Sequence, residues 1–382
     1  MNFRMRDYIA VLLQLCLRVF PVNPRKILSF CYGGQGYGDQ GKYVCNELVR
    51  LKKDVLIIWP LNKKSQLGSA PAQVKAVPFH SLSFFYHLAT SAVWISNMRL
   101  PLYFRKRKGQ YYIQLWHGAP ALKRIEKDAE DALPGSYIQM AKQDSQMADL
   151  FVSNSRYWTD LIHKTFWYDG PVLQCGMPRL DRLMNRSAQS RAAIKRKLHI
   201  TADKVLLYAP TFRKDMDLDC YSLDYPNLKR TLEEKTGQSW HLCVRLHPNV
   251  TNLGLRLPNV EGVSDFSKYP DMYELLEMAD TLITDYSSTM FEAAFAGLDV
   301  ILFATDIEKY QKDRNFYFDL TQLPFPVTRS NEELFDKIKH WDERAYTAAV
   351  AQFKKQLGVE ETGTASKQVA CHILDILNSK EH

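Results

Sequence analysis

Two histidines in this chain stand where apolar runs stop. His117 closes the run over residues 111–116 and is followed at once by Gly118, with Pro120 fixing the exit. An imidazole is the side chain best suited to take a proton near neutral pH, and a glycine beside it lets a ligand approach the backbone closely. A structural, hydrogen-bonding histidine fits the same pattern. His247 ends the segment LCVRLHP, with Arg245 two residues earlier on the same face of a strand's end. Arginine is the natural fork for a phosphate and the histidine could donate to a leaving oxygen, although a surface arginine beside a capping histidine accounts for the spacing equally well.

Two further strand ends carry polar groups. In LLYAPTFR, Thr211 and Arg213 follow Pro210, and in TLITDYSSTMFE a short apolar run stops at Asp285 and passes to Ser287, Ser288 and Thr289. Met290, Phe291, Ala294 and Phe295 recur at helical spacing, which puts the hydroxyl cluster at a helix N-terminus, where unpaired N–H groups and the dipole favour an anion. A plain N-cap has the same signature. Asp215, Asp217 and Asp219 have a spacing that can hold a divalent metal, but they follow an arginine-bearing turn in a polar stretch and read as a solvated acidic loop. Four strand ends bearing His, Arg, Thr and Ser suggest work on a phosphate by positioning and charge neutralisation. No metal and no other cofactor is expected.

Strand-like runs at 26–30, 55–59, 92–96 and 111–115 alternate with helical stretches near 42–51 and 81–90. After Gly170 the rhythm restarts, with strands at 172–175, 205–208, 241–245, 281–284 and 300–303 and helices near 188–198, 272–278 and 288–296. The pattern predicts an α/β chain of two Rossmann-type, doubly wound domains facing a cleft, with ligands outside the carboxyl ends of the strands. We place a short amphipathic helix over 1–22, a first domain over 23–170 and a second over 171–382, with the last helix able to pack back on the first domain.

The length of 382 residues and a hydrophobic content of 46% suit two cores of middle size. A net charge of +8 points to anionic partners such as phosphates or a membrane surface, and no nucleic-acid partner is expected. The basic run 105–108 sits between two strands and reads as a solvated turn. Seven scattered cysteines without metal-ligand spacing suit free thiols in a reducing compartment. The segment 9–20 would reach about 18 Å as a helix, short of a hydrocarbon core of about 30 Å, and it is interrupted by Gln14 and Arg18. Its apolar face of Ile9, Leu12, Leu13, Cys16, Val19 and Phe20, opposite Asp7, Gln14 and Arg18, fits an interfacial anchor or a helix docked on the first domain. The expected location is the cytoplasmic face of the cell membrane, held peripherally.

The motifs WHGAPALKRI, GMPRLDRL, YAPTFR, RLHP and TDYSS, in this order, resemble the bacterial CDP-glycerol:glycerophosphotransferases of teichoic-acid synthesis. The stretches GGQGYGDQGKYVCNEL and ISNMRLPLYFRKRKGQYYIQLWHG resemble that family's acceptor domain, so the likeness runs from about Lys26 to Tyr310. It implies a GT-B-like pair of domains with the nucleotide donor on the C-terminal one and the acceptor on the N-terminal one. By the resemblance, His117 matches the proposed base and His247 the second essential histidine. Arg213, Arg245, Ser287 and Ser288 match positions around the donor pyrophosphate; Asp285, Thr289 and Thr211 lie in the same motifs, and Gly118 and Lys123 fall on the acceptor side. The usual WHGTP is WHGAP here and the tryptophan of APTWR is Phe212, so one hydroxyl beside the base is lost and an aromatic is kept. The implied reaction is transfer of glycerol phosphate from CDP-glycerol, or ribitol phosphate from CDP-ribitol, to a lipid-linked saccharide, with release of CMP. Because polymerising members carry additional N-terminal sequence, a primase-like enzyme is favoured over a polymerase. A GT-B glycosyltransferase using a nucleotide sugar and a non-catalytic polyanion-binding partner remain as rivals.

Overall fold

The computed structural model describes residues 5–380 except 53, 69, 214–218, 248–249, 251–256, 258 and 309–314. Asp215 and Asp217 therefore lie outside the described residues. The chain divides into two compact units, the first formed by Met1–Ala119, Ile125–Asp181 and Gly358–His382, the second by Pro120–Arg124 and Arg182–Leu357.

Seven strands build the first unit: β1 (Asn23–Phe30), β2 (Leu56–Leu61), β3 (Val74–Pro78), β4 (Ser91–Ser96), β5 (Tyr111–Gln114), β6 (Leu150–Ser153) and β7 (Val172–Gln174). They are parallel, in the order β3-β2-β1-β4-β5-β6-β7. The central strands are apolar without alternation because helices cover both faces; every residue of β4 is buried. On one face, Val44, Cys45 and Leu48 of the helix Asp39–Leu51 share a core with Val369, Ile373 and Leu377 of the helix Ala365–Ser379. Gly41 permits that packing, since a Cβ there would meet Ser29 Oγ at 2.8 Å and the Trp59 ring at 3.1 Å. On the other face, Phe84, Phe85 and Leu88 of the helix Leu82–Thr90 pack with Ala10, Tyr103 and Phe104.

The second unit is a six-stranded parallel sheet of β8 (Lys204–Tyr208), β9 (Trp240–Val244), β10 (Val263–Asp265), β11 (Thr281–Thr284), β12 (Asp299–Phe303) and β13 (Val327–Thr328). Its order is β10-β9-β8-β11-β12-β13. Leu228, Leu232, Leu334 and Ile338, from the helices Tyr225–Thr236 and Asn331–Lys339, cover one face. Both sheets thus carry the 3-2-1-4-5-6 strand order of a Rossmann unit, and the chain is a GT-B-like pair of them.

Three expectations change. Strand 172–175 pairs with β6 and completes the first sheet, so the boundary expected at 170/171 lies at Asp181/Arg182, and the final segment from Gly358 belongs to the first unit. Gln14, expected on the polar face of the N-terminal helix, is buried: its amide donates to Tyr103 O (2.6 Å) and Ala10 O (2.9 Å) and accepts from Arg105 N (3.0 Å). Leu13 turns inward too, while Ile9, Leu12, Cys16, Val19 and Phe20 stay exposed. The run 105–108 is no solvated turn, because Arg107 donates to Arg18 O and Phe20 O at 3.0 Å and Lys106 pairs with Asp149. Backbone carbonyls at the end of a helix need donors, and these side chains supply them.

Candidate active site

In each sheet the strand order reverses at one place, between β1 and β4 in the first unit and between β8 and β11 in the second. Loops leaving the carboxyl ends of those strands diverge there and open a crevice. The residues singled out by sequence cluster at these two edges.

In the first unit the loop after β1 turns through Tyr32 (φ 40°), Gly33 (φ 61°) and Gly34 (φ 87°). Tyr32 N donates to Asn97 Oδ1 (3.2 Å), which joins the ends of β1 and β4. His117 enters from the neighbouring β5. The preceding Trp116 has φ 53°, a strained conformation for a bulky residue, and is held by Trp116 N donating to Gln114 Oε1 (2.9 Å). This turn presents the imidazole so that Nδ1 lies 2.8 Å from Asn97 O. A carbonyl can only accept, so Nδ1 carries the proton and Nε2 keeps its lone pair. His117 retains an exposed edge, yet the protein packed around it removes enough water to lower its pKa. The Asn97 carbonyl and Asp39 oppose that shift, while Arg179 reinforces it.

Asp39 and Arg179 had no assigned role in the sequence reading. Arg179 donates to Asp39 Oδ2 (2.9 Å) and to the His117 carbonyl (3.0 Å), and its backbone N–H donates to Gln40 Oε1 (3.0 Å). Tyr32 donates its hydroxyl to the same Asp39 carboxylate. Asp39 sits at φ 53°, so it too is strained into place. These contacts lock the base's loop to the helix Asp39–Leu51. In the same motif as Arg179, Asp181 accepts from Ala365 N (2.9 Å) and Ser366 N (2.7 Å) and so caps the C-terminal helix. The motifs GGQGYGD and GMPRLDRL were the visible signal, since the first ends in Asp39 and the second contains Arg179, charges that must be neutralised near the sheet edge. Behind the base, Arg99 is buried between Glu126 (2.6 Å) and Asp144 (3.1 Å). Gly118 is buried beside His117. Lys123, expected on the acceptor side, lies in the second unit: its backbone bridges Phe316, and Tyr317 N donates to Leu122 O (2.9 Å).

In the second unit, Thr211, Arg213 and Asp285 meet, but not as an anion seat. All five N–H donors of Arg213 have protein acceptors. Nε donates to Asp306 Oδ2 (2.6 Å) and the NH2 group to Asp306 Oδ1 (3.0 Å) and Asp285 Oδ2 (2.8 Å). The NH1 group donates to Thr211 O (2.8 Å) and Oγ1 (2.7 Å). Asp285 accepts further from Thr211 N (2.9 Å) and Tyr286 N (2.6 Å). Two desolvated carboxylates at adjacent strand ends demand a countercharge, and Arg213 is used up supplying it. Asp306, which completes the group, lies three residues past β12 and carries the same strand-end signal as the residues that were singled out.

Arg245 is different. Half-buried at the end of β9, it donates to the Tyr269 carbonyl, and among the described residues no carboxylate lies within ion-pair distance. Burial lowers its pKa, with Asp271 opposing, as for a cation short of a partner. His247, two residues on, is exposed; desolvation lowers its pKa and its ring lies 5.5 Å from that of Phe212. Ser287 donates to Thr289 Oγ1 (2.9 Å) and accepts from Thr289 N (3.3 Å). Ser288 is the N-cap residue of the helix Thr289–Phe295, but its hydroxyl forms no capping bond, because its backbone is already helical (φ −59°, ψ −15°). Of the two arginines at these strand ends, Arg245 is the one that no carboxylate neutralises among the described residues, and the Ser287–Thr289 turn follows β11 at the switch point. Among the described residues no group of three His, Cys, Asp or Glu is placed to hold a metal.

The chain is similar to two proteins named teichoic acid poly(glycerol phosphate) polymerase. That of Staphylococcus epidermidis is 31% identical over 368 residues, covering 91% of this chain and 50% of the relative. That of Bacillus subtilis is 31% identical over 366 residues, covering 91% and 48%. The chain thus spans about half the length of these curated relatives. It also matches the crystallised wall teichoic acid polymerase TagF, as a histidine-to-asparagine variant soaked with CDPG, at a TM-score of 0.84 and 27% identity over 100% of both chains. The profile of one family matches residues 11–375, nearly the whole of both units, and the chain belongs to that family, CDP-Glycerol:Poly(glycerophosphate) glycerophosphotransferase.

Proposed function

We propose that this protein transfers glycerol phosphate from CDP-glycerol to a hydroxyl of a membrane-bound acceptor and releases CMP, in the synthesis of a teichoic-acid or related envelope polymer. The observation that carries the reading is the pinned tautomer of His117: Nδ1 donates to the Asn97 carbonyl, so Nε2 faces outward as a base that stays neutral at pH 7. Nε2 takes the proton of the acceptor hydroxyl as its oxygen bonds to the glycerol-bearing phosphorus. The bond from that phosphorus to the bridging oxygen breaks, and CMP leaves with the electron pair. Arg245 and His247 neutralise charge on the donor phosphates, and the Ser287–Thr289 turn adds backbone donors. Arg213 and Asp285 keep those strand ends in place without touching donor. No step assigned to these residues calls on a metal.

The test is CMP release by purified protein with CDP-glycerol or CDP-ribitol, with and without a lipid-linked disaccharide, in buffer with and without EDTA. Acceptor-dependent CMP from CDP-glycerol, unchanged by EDTA, is expected. Mass spectrometry of the lipid then distinguishes one added unit, the primase-like outcome, from a ladder. Absence of acceptor-dependent CMP from either donor sinks the proposal and directs attention to nucleotide sugars.

We further propose peripheral attachment to the cytoplasmic face of the membrane. Among the described residues no helix is long and apolar enough to cross a membrane. Yet the N-terminal helix Met5–Cys16 and its continuation leave Met5, Tyr8, Ile9, Leu12, Leu15, Val19 and Phe20 exposed, as is Leu82 of the helix Leu82–Thr90. Leu12 is 61% exposed and Val19 80%, more than a water-facing surface needs to carry. Co-sedimentation with anionic phospholipid vesicles should fall roughly tenfold or more in Leu12→Asp with Val19→Asp, each change removing a buried aliphatic group from the interface. Equal sedimentation of wild type and double variant would refute attachment through this face.

A further inference from the structure

Gln114 ends β5 fully buried, and a buried carboxamide is tolerated only where its N–H groups and its oxygen find partners. Here they do. Nε2 donates to Met98 O (3.1 Å) and to the Tyr112 hydroxyl oxygen (2.8 Å), and Oε1 accepts from Trp116 N (2.9 Å). Oxygens face one end of the amide and an N–H the other, which leaves it a single orientation. The Tyr112 oxygen is open to accept because its own proton goes to Asp144 Oδ1 (2.9 Å). Asp144 in turn is held by Arg99 (3.1 Å) and by Leu100 N (3.1 Å), so the amide is anchored to the buried ion pair behind the base.

The bond from His117 Nδ1 to the Asn97 carbonyl crosses between two loops, one leaving β4 and one leaving β5. Pairing of these strands runs out at Ser96 and Gln114, with Leu115 N donating to Ser96 O (2.8 Å). Trp116 then turns away at φ 53°, and its N–H takes the Gln114 side chain as acceptor. One end of the carboxamide therefore grips the residue before His117 and the other the residue after Asn97. Arg179 ties the His117 carbonyl to Asp39, and Tyr32 N ties the Asn97 side chain to the loop after β1, but neither joins the two loops to each other. We infer that Gln114 is a positioning residue: its carboxamide fixes the register of the two loops and so holds the His117 imidazole in the tautomer that leaves Nε2 free to take a proton. The inference rests on the proposed role of His117 as base and adds the group that orients it.

Gln114→Met keeps the length of the side chain and removes its bonds to Met98, Tyr112 and Trp116. It should lower kcat by about 10–100-fold, the scale of a reacting group displaced by about 1 Å, with acceptor KM and the Kd for CDP-glycerol within about twofold of the wild type. The acid limb of kcat/KM should also move toward acid. The Asn97 carbonyl, with Asp39 and Glu126, holds the His117 pKa up against burial and Arg179, so loosening that bond lets it fall further. Ser145→Ala is the control. It removes the bonds from Arg99 (2.8 Å) and to the Phe166 carbonyl in the same buried cluster without touching Gln114, and should lower the melting temperature with kcat and the limb unchanged. Nitrogen-15 spectra of histidine-labelled protein, with His117 assigned by its absence from His117→Ala, read the tautomer without turnover. Nδ1 should carry the proton in the wild type, and Gln114→Met should show an average of the two tautomers. Unchanged kcat, limb and tautomer in folded Gln114→Met overturn the inference, and so does an equal loss of kcat in Ser145→Ala. Hydrogen exchange in the wild type decides it whether or not the variant folds: the Trp116 N–H should exchange as slowly as the β4–β5 ladder, and exchange at the rate of an unstructured loop refutes the clamp. A tautomer pinned in the wild type and released in Gln114→Met, without transfer from CDP-glycerol to any acceptor, supports the positioning and refutes the proposed reaction.

Discussion

Replacing His117 with alanine should lower kcat by about 10²–10⁴-fold while leaving CDP-glycerol binding unchanged, the usual scale for a general base. The effect should fall on chemistry because the imidazole belongs to the first unit, where among the described residues its hydrogen-bond partner is the Asn97 carbonyl. A pH profile separates a base from a merely structural histidine. Desolvation lowers the folded pKa below the ordinary 6.5, so Nε2 stays unprotonated to lower pH than a free imidazole would. The acid limb of kcat/KM for the wild type should therefore lie below pH 6.5, with activity present above it and lost as the pH falls through the depressed pKa. That limb should vanish from the residual activity of His117→Ala. Asp39→Asn gives the cross-check: removing the carboxylate that favours the imidazolium should move the limb further toward acid. Near wild-type kcat in His117→Ala, with donor bound normally, would remove the base assignment.

How far the sequence reaches is visible in which strands it discloses. Strands with an uninterrupted apolar run, such as β4 with SAVWIS and β11 with TLIT, declare themselves because burial on both faces demands it. Three of the strands that escape detection are edges or very short: β3 ends in Pro78 and exposes Lys75, β10 has three residues and β13 two. β6, LFVS, is as long and as buried as β11 and escapes all the same, so length alone does not decide legibility. Residue 171 looked like a fresh start because β7 is short and half-buried, and only its pairing with β6 shows which sheet it completes. At the site, position was more legible than role. Every singled-out strand-end residue does lie at a carboxyl edge, because that follows from the run that precedes it. Whether a charge there is spent or available depends on partners far along the chain. Arg213 is spent on Asp306, 93 residues away, and Arg179 on Asp39, 140 residues away, and no local pattern carries such a pairing.

That difference between spent and available charge makes Arg213→Met and Arg245→Met an opposed pair. Arg213→Met leaves Asp285 and Asp306 facing each other at two strand ends without a countercharge, and breaking a buried pair from one side costs about 3–5 kcal/mol. At roughly 2–4 °C per kcal/mol for a unit of this size, the melting temperature should drop by about 6–20 °C. The loss should also depend on pH. Burial alone would raise the Asp306 pKa, but the Arg213 bonds outweigh it and the net shift is downward. The stabilisation is thus complete above the ordinary 3.8 and is lost as the pH falls through the depressed value, so wild type and Arg213→Met should converge at the acid end. Arg245→Met removes a half-buried cation that no carboxylate among the described residues neutralises, so its melting temperature should hold or rise. Its cost should appear in the donor instead, as KM for CDP-glycerol roughly 10–100-fold higher, the scale of a charged hydrogen bond to phosphate. Calorimetry and donor titration on the two variants decide the matter. If Arg213→Met melts like the wild type and loses donor affinity, the guanidinium changes partners on binding and the pyrophosphate role implied by the resemblance returns to it. If it melts early and the folded fraction still binds donor, the strand ends of the second unit contain a brace at Arg213 and a separate anion site at Arg245.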